Sequence, residues 1–318
     1  MQFLNKINKF FSIKKFNKKP LFEKLFYMSL GVLVFVVLLN NARTSLGIKE
    51  GFEKSSEFVV KKIPEEIYDD FYVNLYDDLV FYQGKNDCEL AMIKKYTSFD
   101  NNSSVLDIGS GTGHHVNLFN KTSKSALGID ISPSMVKKSK ANYPNNDYQV
   151  SDAMNSMAVQ HQTFTHITCL YFSVYYFEDK RTLFKNCYDW LLPGGDLILH
   201  LVDRDNFDPI LPAGNPFKVV SPQKYAKERI TSTVVKFNEY EYKSNYETNT
   251  SDSTATMNEE FKNIKNGGVR KNEHKLFMST QKEILSQAKD VGFILSEYEE
   301  LDKCGYFSQY IYVLQKPN

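Results

Sequence analysis

From Ser104 onward the chain alternates short apolar runs with stretches whose apolar residues recur every three or four positions. Runs at 104–108, 125–130, 148–150, 164–171 and 196–202 read as strands, with helices from Gly113, from Pro133 and over 180–192. Such alternation implies a largely parallel sheet covered on both faces, an α/β fold. A helix at 281–290 and strands at 293–298 and 306–314 complete it. Upstream, PEEIYDDFYVNLYDDLVF sets Ile67, Phe71, Leu75 and Leu79 four apart, one helical stripe with acids on the other faces, and 87–96 reads as a second helix. Residues 203–278 break the rhythm. There TSTVVKFNEYEYKSNYE and VRKNEHKLFM alternate around a polar stretch, 248–256, and predict a β-rich insertion with a mobile tip.

The N-terminal part has a different pattern. Residues 25–39 carry no charge, which makes about 22 Å of helix against a hydrocarbon core of about 30 Å. Lys24 can snorkel and residues 40–42 can extend the helix, so 25–42 is expected to be a transmembrane or signal-anchor helix behind a basic tail, 1–24. The bilayer is then a partner, and the protein a single-pass membrane protein. A cleaved signal fits less well, because Asn40 precedes Ala42 where small residues are wanted; an interfacial amphipathic helix stays open. The remaining segments are a tether at 43–63, a helical lid at 64–100, a main domain at 101–202 and 279–318, and an inserted cap at 203–278.

Composition changes this picture little. The 318 residues are 42% hydrophobic, enough for one large domain, and 39 basic against 38 acidic residues leave a net charge of +1, without the basic excess of a nucleic-acid binder. Cys88, Cys169, Cys187 and Cys304 lie far apart with no C-x-x-C pair, so no metal site is indicated and buried free thiols are expected.

The chemistry concentrates in VLDIGSGTGHH, residues 105–115. An apolar strand ends in Asp107, and Gly109, Gly111 and Gly113 turn the chain into a helix, leaving the backbone open to close approach by a ligand. The spacing is acid-x-G-x-G-x-G, not the G-x-G-x-x-G of dinucleotide sites. This run resembles motif I of the class I S-adenosylmethionine (SAM) dependent methyltransferases. Further pieces follow in that family's order: ALGIDIS with Asp130 and Ile131, YQVSDAM with Asp152 and Ala153, and LLPGGDLILHL.

The resemblance implies a Rossmann-like sheet, mostly parallel with one antiparallel strand and flanked by helices, with SAM as cofactor. It implies that Asp130 accepts from the ribose hydroxyls and Asp152 from the adenine amino group. It also places the segment after the fourth strand, Leu170 and Tyr171 through Tyr176, beside the transferred methyl. If the three acids merely ended strands or capped helices, their spacing would be coincidence.

Catalytic residues are harder to read, because a sulfonium methyl is already activated and alignment is most of the task. Tyr171 is the candidate beside the methyl, and Asp203, just past the strand at 196–202, is the candidate base. His200 lies inside that strand. Tyr68, Tyr72 and Tyr76 can join an aromatic wall for an amine. His114 and His115 start the motif helix, and His274 reads as a surface residue.

A small molecule or a lipid is the expected acceptor; a protein acceptor, or SAM binding without turnover, are the alternatives. Charge bias puts the Lys-rich tail in the cytosol and the large domain across the membrane, whereas cofactor supply argues for a cytosol-facing catalytic domain, the reading preferred here.

Overall fold

The computed structural model describes residues 20, 22–24, 27, 29, 58–210 and 229–318. The chain divides into two units, Met1–Lys49 and Glu50–Asn318. Apart from Tyr27 and Ser29, which are helical, the expected anchor 25–42 lies outside the described residues. No helix among the described residues is long and apolar enough to cross a membrane.

The larger unit contains two sheets. The elements of the first are β2 (Ser104–Ile108), β3 (Ser125–Asp130), β4 (Asp147–Val150), β5 (Phe164–Cys169), β6 (Leu191–Val202), β11 (Ile294–Glu300) and β12 (Gln309–Gln315), in the order β11-β12-β6-β5-β2-β3-β4. Strands β2 to β6 pair in parallel, and β12 runs antiparallel between β6 and β11. Within β6 the alternation assigns Leu197, Leu199 and Leu201 to one core and Ile198 to the other, so both faces are covered. Helices fill those faces: His114–Asn120, Pro133–Asn142, Lys180–Trp190 and Gln281–Val291. Ser132 caps the second, its Oγ accepting from Met135 N at 3.1 Å ahead of a proline, and Thr280 with Glu283 forms a capping box on the last.

The second sheet comes from the insertion: β7 (Ser232–Lys236), β8 (Tyr240–Asn249), β9 (Thr254–Asn263) and β10 (Val269–Phe277), consecutive and antiparallel. Its other edge is β1 (Phe58–Lys61), parallel to β10 with Phe58 opposite Val269. The end of the expected tether is therefore a strand, too short for its alternation to stand out in sequence.

The apolar stripe of the lid is buried as expected, with Ile67, Phe71, Leu75 and Leu79 packing on Tyr240, Tyr242 and Phe261 of the second sheet. It is carried by two helices rather than one, Pro64–Ile67 and Asp70–Val80. Asp69 interrupts it, accepting from Tyr72 N at 3.1 Å as the second helix's N-cap. A third helix, Gln83–Tyr96, follows.

Two further expectations are corrected. The stretch 248–256 is more structured than its polar composition suggests: β8 runs to Asn249 and β9 resumes at Thr254, leaving an exposed turn between them. Ala255 is buried with Tyr246, Leu276 and Met278, and Met278 N donates to Ser253 O at 2.6 Å. Of the cysteines, only Cys169 and Cys187 are free and buried; Cys88 and Cys304 form a disulfide between the helix Gln83–Tyr96 and the turn Leu301–Cys304.

Candidate active site

The loop after β2 is built from three left-handed glycines, with φ of 68° at Gly109, 53° at Gly111 and 89° at Gly113. A Cβ on Gly109 would sit 2.6 Å from Ser173 Oγ, and one on Gly113 would sit 2.5 Å from Tyr148 Oη, so packing as well as backbone angle requires glycine there. Gly111 differs. A Cβ there would meet nothing closer than Tyr76 at 3.8 Å and would project into open space.

That space is a cavity of about 470 Å³ lined by Gly109, Gly111, Asp130, Ile131, Asp152 and Ala153. Asp130 Oδ2 accepts from Gly111 N and Oδ1 from Ser132 N, both at 2.9 Å, which fixes the carboxylate at the end of β3. Burial raises its pKa while the two N–H groups oppose the rise. Each oxygen keeps acceptor capacity. Asp152 is held by Met154 N at 2.8 Å. A cavity of this size, with a glycine backbone on one wall and two carboxylate acceptors on another, fits a nucleoside with a charged side arm.

Asp107 lies deeper. It is buried, accepts from Thr168 Oγ1 at 2.6 Å, and burial raises its carboxyl to about 6 against the opposing influence of His115. With His114, His115, Asn86, Leu170 and Tyr171 it lines a smaller polar cavity of about 50 Å³ that shares Gly109, Gly111, Tyr76 and Ser173 with the larger one. Neither histidine is a free surface group. His114 stacks on Phe81 with ring centroids 3.8 Å apart and meets Tyr143 Oη at 2.6 Å; His115 Nε2 lies 2.9 Å from Glu89 Oε2. Glu89 also pairs with buried Lys85, and against the burial that would raise it Lys85 and the hydrogen bond from His115 hold its carboxyl at about 2.

A third cavity, about 140 Å³ and mainly aromatic, is walled by Tyr68, Tyr72, Tyr171, Tyr176, His200 and His274 among others. Tyr68, Tyr76, Ser173 and Tyr176 belong to both this chamber and the 470 Å³ cavity, so the two adjoin. Tyr171 has a left-handed φ of 52°, donates to Asn86 Oδ1 at 2.6 Å and lies under Lys85 Nζ at 3.8 Å. Such a conformation in a non-glycine residue is strained and marks a constrained position. His200 donates from Nδ1 to the Tyr171 carbonyl, and burial together with Lys85 lowers its pKa to about 3.

The sequence-based candidates thus separate. Asp107, Gly109, Gly111, Asp130, Ile131, Asp152, Ala153, Leu170 and Tyr171 line adjoining cavities. Gly113 stands just behind the loop, and Asp203 is not brought in: its carboxylate turns back on Asp205 N at 3.1 Å and Asn206 Nδ2 at 2.8 Å, stabilising the turn after β6.

His274 is a second correction, because it is buried rather than at the surface. Its Nε2 lies 2.8 Å from Glu259 Oε2 and its Nδ1 2.7 Å from Tyr176 Oη. The available signal was parity: along β10, Arg270, Asn272, His274 and Leu276 share the inward face, three polar side chains where apolar ones are usual.

Comparison with known proteins gives this geometry a context. A methyltransferase-domain family model matches residues 105–195. Caffeic acid 3-O-methyltransferase 1 of Ocimum basilicum is 31% identical over 124 residues, 38% of this chain and 34% of that protein. A putative methyltransferase of Invertebrate iridescent virus 6 is 43% identical over 56 residues, 17% of this chain and 21% of that protein. The chain therefore spans about a fifth to a third of the length of these curated relatives. Among solved structures, the sugar N-methyltransferase KedS8 from Streptoalloteichus superposes with a TM-score of 0.56 at 17% identity, covering 86% of this chain and 98% of that one, a likeness of fold. Residues 105–195 thus carry the match to a methyltransferase domain, and they build the glycine loop and the carboxylates of the 470 Å³ cavity.

Proposed function

We propose that the protein transfers the SAM methyl group to a small-molecule or lipid acceptor held in the aromatic chamber. The observation that carries this reading is the common wall of Tyr68, Tyr76, Ser173 and Tyr176, which sets the chamber against the 470 Å³ cavity. When bound, SAM supplies an activated methyl on sulfur. In this reading Asp130 receives the ribose hydroxyls, and Asp152 with Ala153 receives the adenine. The buried Asp107 carboxylate receives the ammonium of the methionine arm, the charge it needs as a partner in a dry cavity. Leu170 and Tyr171 would line the side of the site next to the methyl.

A chamber of about 140 Å³ suits a small group or the end of a longer chain rather than a folded protein surface. The KedS8 structure, named for a sugar N-methyltransferase, supports an acceptor of that scale.

The test is incubation of the full chain with methyl-deuterated SAM and separate small-molecule, lipid and protein extracts, read by mass spectrometry. Label in the small-molecule or lipid fraction is expected. Label in protein alone would refute the acceptor class, and no label in any fraction would refute turnover.

The uncharged run 25–39 supports a membrane anchor that keeps the enzyme beside a lipid or lipid-soluble acceptor; the supply of SAM favours a cytosol-facing catalytic unit, against the oxidising compartment that the Cys88–Cys304 disulfide favours. Extraction at alkaline pH that releases the full chain from membranes, or protease protection of the catalytic unit in sealed vesicles, would overturn this part.

A further inference from the structure

We propose that the inserted sheet supplies the proton acceptor of the reaction: His274, held by Glu259, takes up through Tyr176 and Tyr68 the proton that a hydroxyl or amino acceptor loses on methylation. This rests on the methyl-transfer reading above and adds to it a set of residues and a class of acceptor.

The hydrogen bonds have a direction. Glu259 is fully buried, yet four donors converge on it: Tyr72 Oη at 2.9 Å and Tyr242 Oη at 2.8 Å on Oε1, with Asn272 Nδ2 at 3.1 Å and His274 Nε2 at 2.8 Å on Oε2. Four donors converging on one buried carboxyl mark Glu259 as an ionised, acceptor-only group. An acceptor-only partner places an imidazole proton on Nε2, and in the neutral ring that the relay requires Nδ1 keeps its lone pair. Tyr176 Oη, 2.7 Å from Nδ1, therefore donates to it, and Tyr68 Oη, 2.8 Å further on, donates to Tyr176. The chain of donors ends at the wall shared by the two cavities.

Burial pushes both phenols well above their ordinary pKa, so they hand protons along rather than rest as phenolates. Other groups facing His274 are the rings of Tyr68 and Tyr72, at 5.9 and 6.0 Å between centroids. Arg270 joins the cluster by donating to Asn272 Oδ1 at 3.0 Å and pairs with Asp69 at 2.8 Å. The competing base in the chamber, His200, is too weak, with its pKa near 3. Glu89 is committed to Lys85 and His115.

In the step itself, the acceptor's lone pair forms the bond to the methyl carbon and the carbon–sulfur pair stays on sulfur. The acceptor's proton passes to Tyr68 as the phenol protons shift along, ending on His274 Nδ1. The positive charge leaves sulfur and appears as imidazolium beside Glu259, the arrangement by which a carboxylate stabilises a protonated histidine. A thiolate or carboxylate acceptor has no proton to lose and would leave this relay without use, so the acceptor is an alcohol, a phenol or an amine. Glu259 acts as a positioning residue.

Two measurements on the full chain test this. The first is nitrogen-15 histidine NMR with the demethylated cofactor bound, His274 being assigned by loss of its signal in His274→Gln. A proton on Nε2 and none on Nδ1 at pH 7.5, with that preference lost in Glu259→Gln, is expected. A proton on Nδ1, or on both nitrogens, overturns the relay whatever the acceptor proves to be.

The second is turnover with a panel of simple alcohols, phenols, primary amines, thiols and carboxylic acids. With the best substrate, Tyr176→Phe and His274→Gln should lower kcat at least 30-fold while SAM affinity and the acceptor KM stay within threefold. Glu259→Gln should move the acid limb of kcat/KM to lower pH, since an imidazolium without its carboxylate gives up its proton more readily. Variants that keep kcat within threefold, or a thiol or carboxylic acid as best substrate, overturn the relay. A wild-type chain that methylates nothing in the panel would count against the small-molecule reading, leaving the NMR result to decide the relay.

Discussion

Asp130→Ala isolates the ribose contact from the rest of the donor cavity. The carboxylate spends one acceptor position on each of Gly111 N and Ser132 N, and its remaining lone pairs face the 470 Å³ cavity. Losing hydrogen bonds from two hydroxyls to a charged acceptor costs about 1.5 to 3 kcal/mol, so the dissociation constant for SAM should rise about tenfold to 150-fold. The same substitution frees the Gly111 and Ser132 N–H groups, which loosens the loop and confounds a simple affinity loss. A cycle separates the two effects: wild type and Asp130→Ala are titrated calorimetrically with the demethylated cofactor and with its 2′-deoxy analogue. If Asp130 holds the ribose, deleting the hydroxyl weakens binding to the wild type and does little to the variant, giving a coupling of about 1 kcal/mol or more. Additive losses would mean that Asp130 only braces the loop, and an unchanged constant in the folded variant would refute its placement altogether.

Gly111→Val should abolish measurable SAM binding by a folded chain, because a branched side chain is strained at φ 53° and projects into the cavity; calorimetric binding within tenfold of wild type would contradict this. At Asp107, burial lifts the folded carboxyl to about 6, so the folded state holds more protons than the unfolded one between about pH 4 and 6. Stability on its account therefore increases as pH falls through 6. Asp107→Asn should accordingly stabilise the unliganded chain at pH 7.5 by up to about 3 kcal/mol while weakening SAM binding, and a lower melting temperature would refute the sign. Reducing the Cys88–Cys304 bond, which spans 216 residues, should lower unfolding stability by about 2 to 5 kcal/mol in urea melts with and without reductant. Deleting 250–253 should destabilise the insertion, since it breaks the turn that seats Ala255 and the Met278 contact; an unchanged melting temperature would argue otherwise.

How far the sequence could be read follows from how local each signal is. Strands β2, β3 and β6 and the loop of Gly109, Gly111 and Gly113 are written in contiguous runs, and the acids at their ends needed only order and spacing. Other features depend on distant partners. Nothing near Cys88 announces Cys304, and Phe58–Lys61 becomes a strand only because β10 offers it an edge. Lys85 and Glu89 look like a solvent-facing pair four residues apart until the fold buries both against His115 and Tyr171. His274 was misread for a similar reason, because a charged neighbour on each side suggests exposure unless the register with β9 is known. Asp203 was placed correctly at the end of a strand, but the side chain serves its own turn.

The placement of β12 has a consequence for how the molecule assembles. This strand separates β6 from β11 and follows the insertion in the chain, so β6 presents an open edge for the whole time that the insertion is being made. The second sheet waits in the same way, since β1 has no partner until residues 269–272 emerge. At roughly 5 to 20 residues per second the ribosome needs at least 10 seconds to make the residues from β1 to β10. Both sheets close by pairings of long sequence separation, which puts this chain among slow folders, with exposed strand edges that a chaperone can shield.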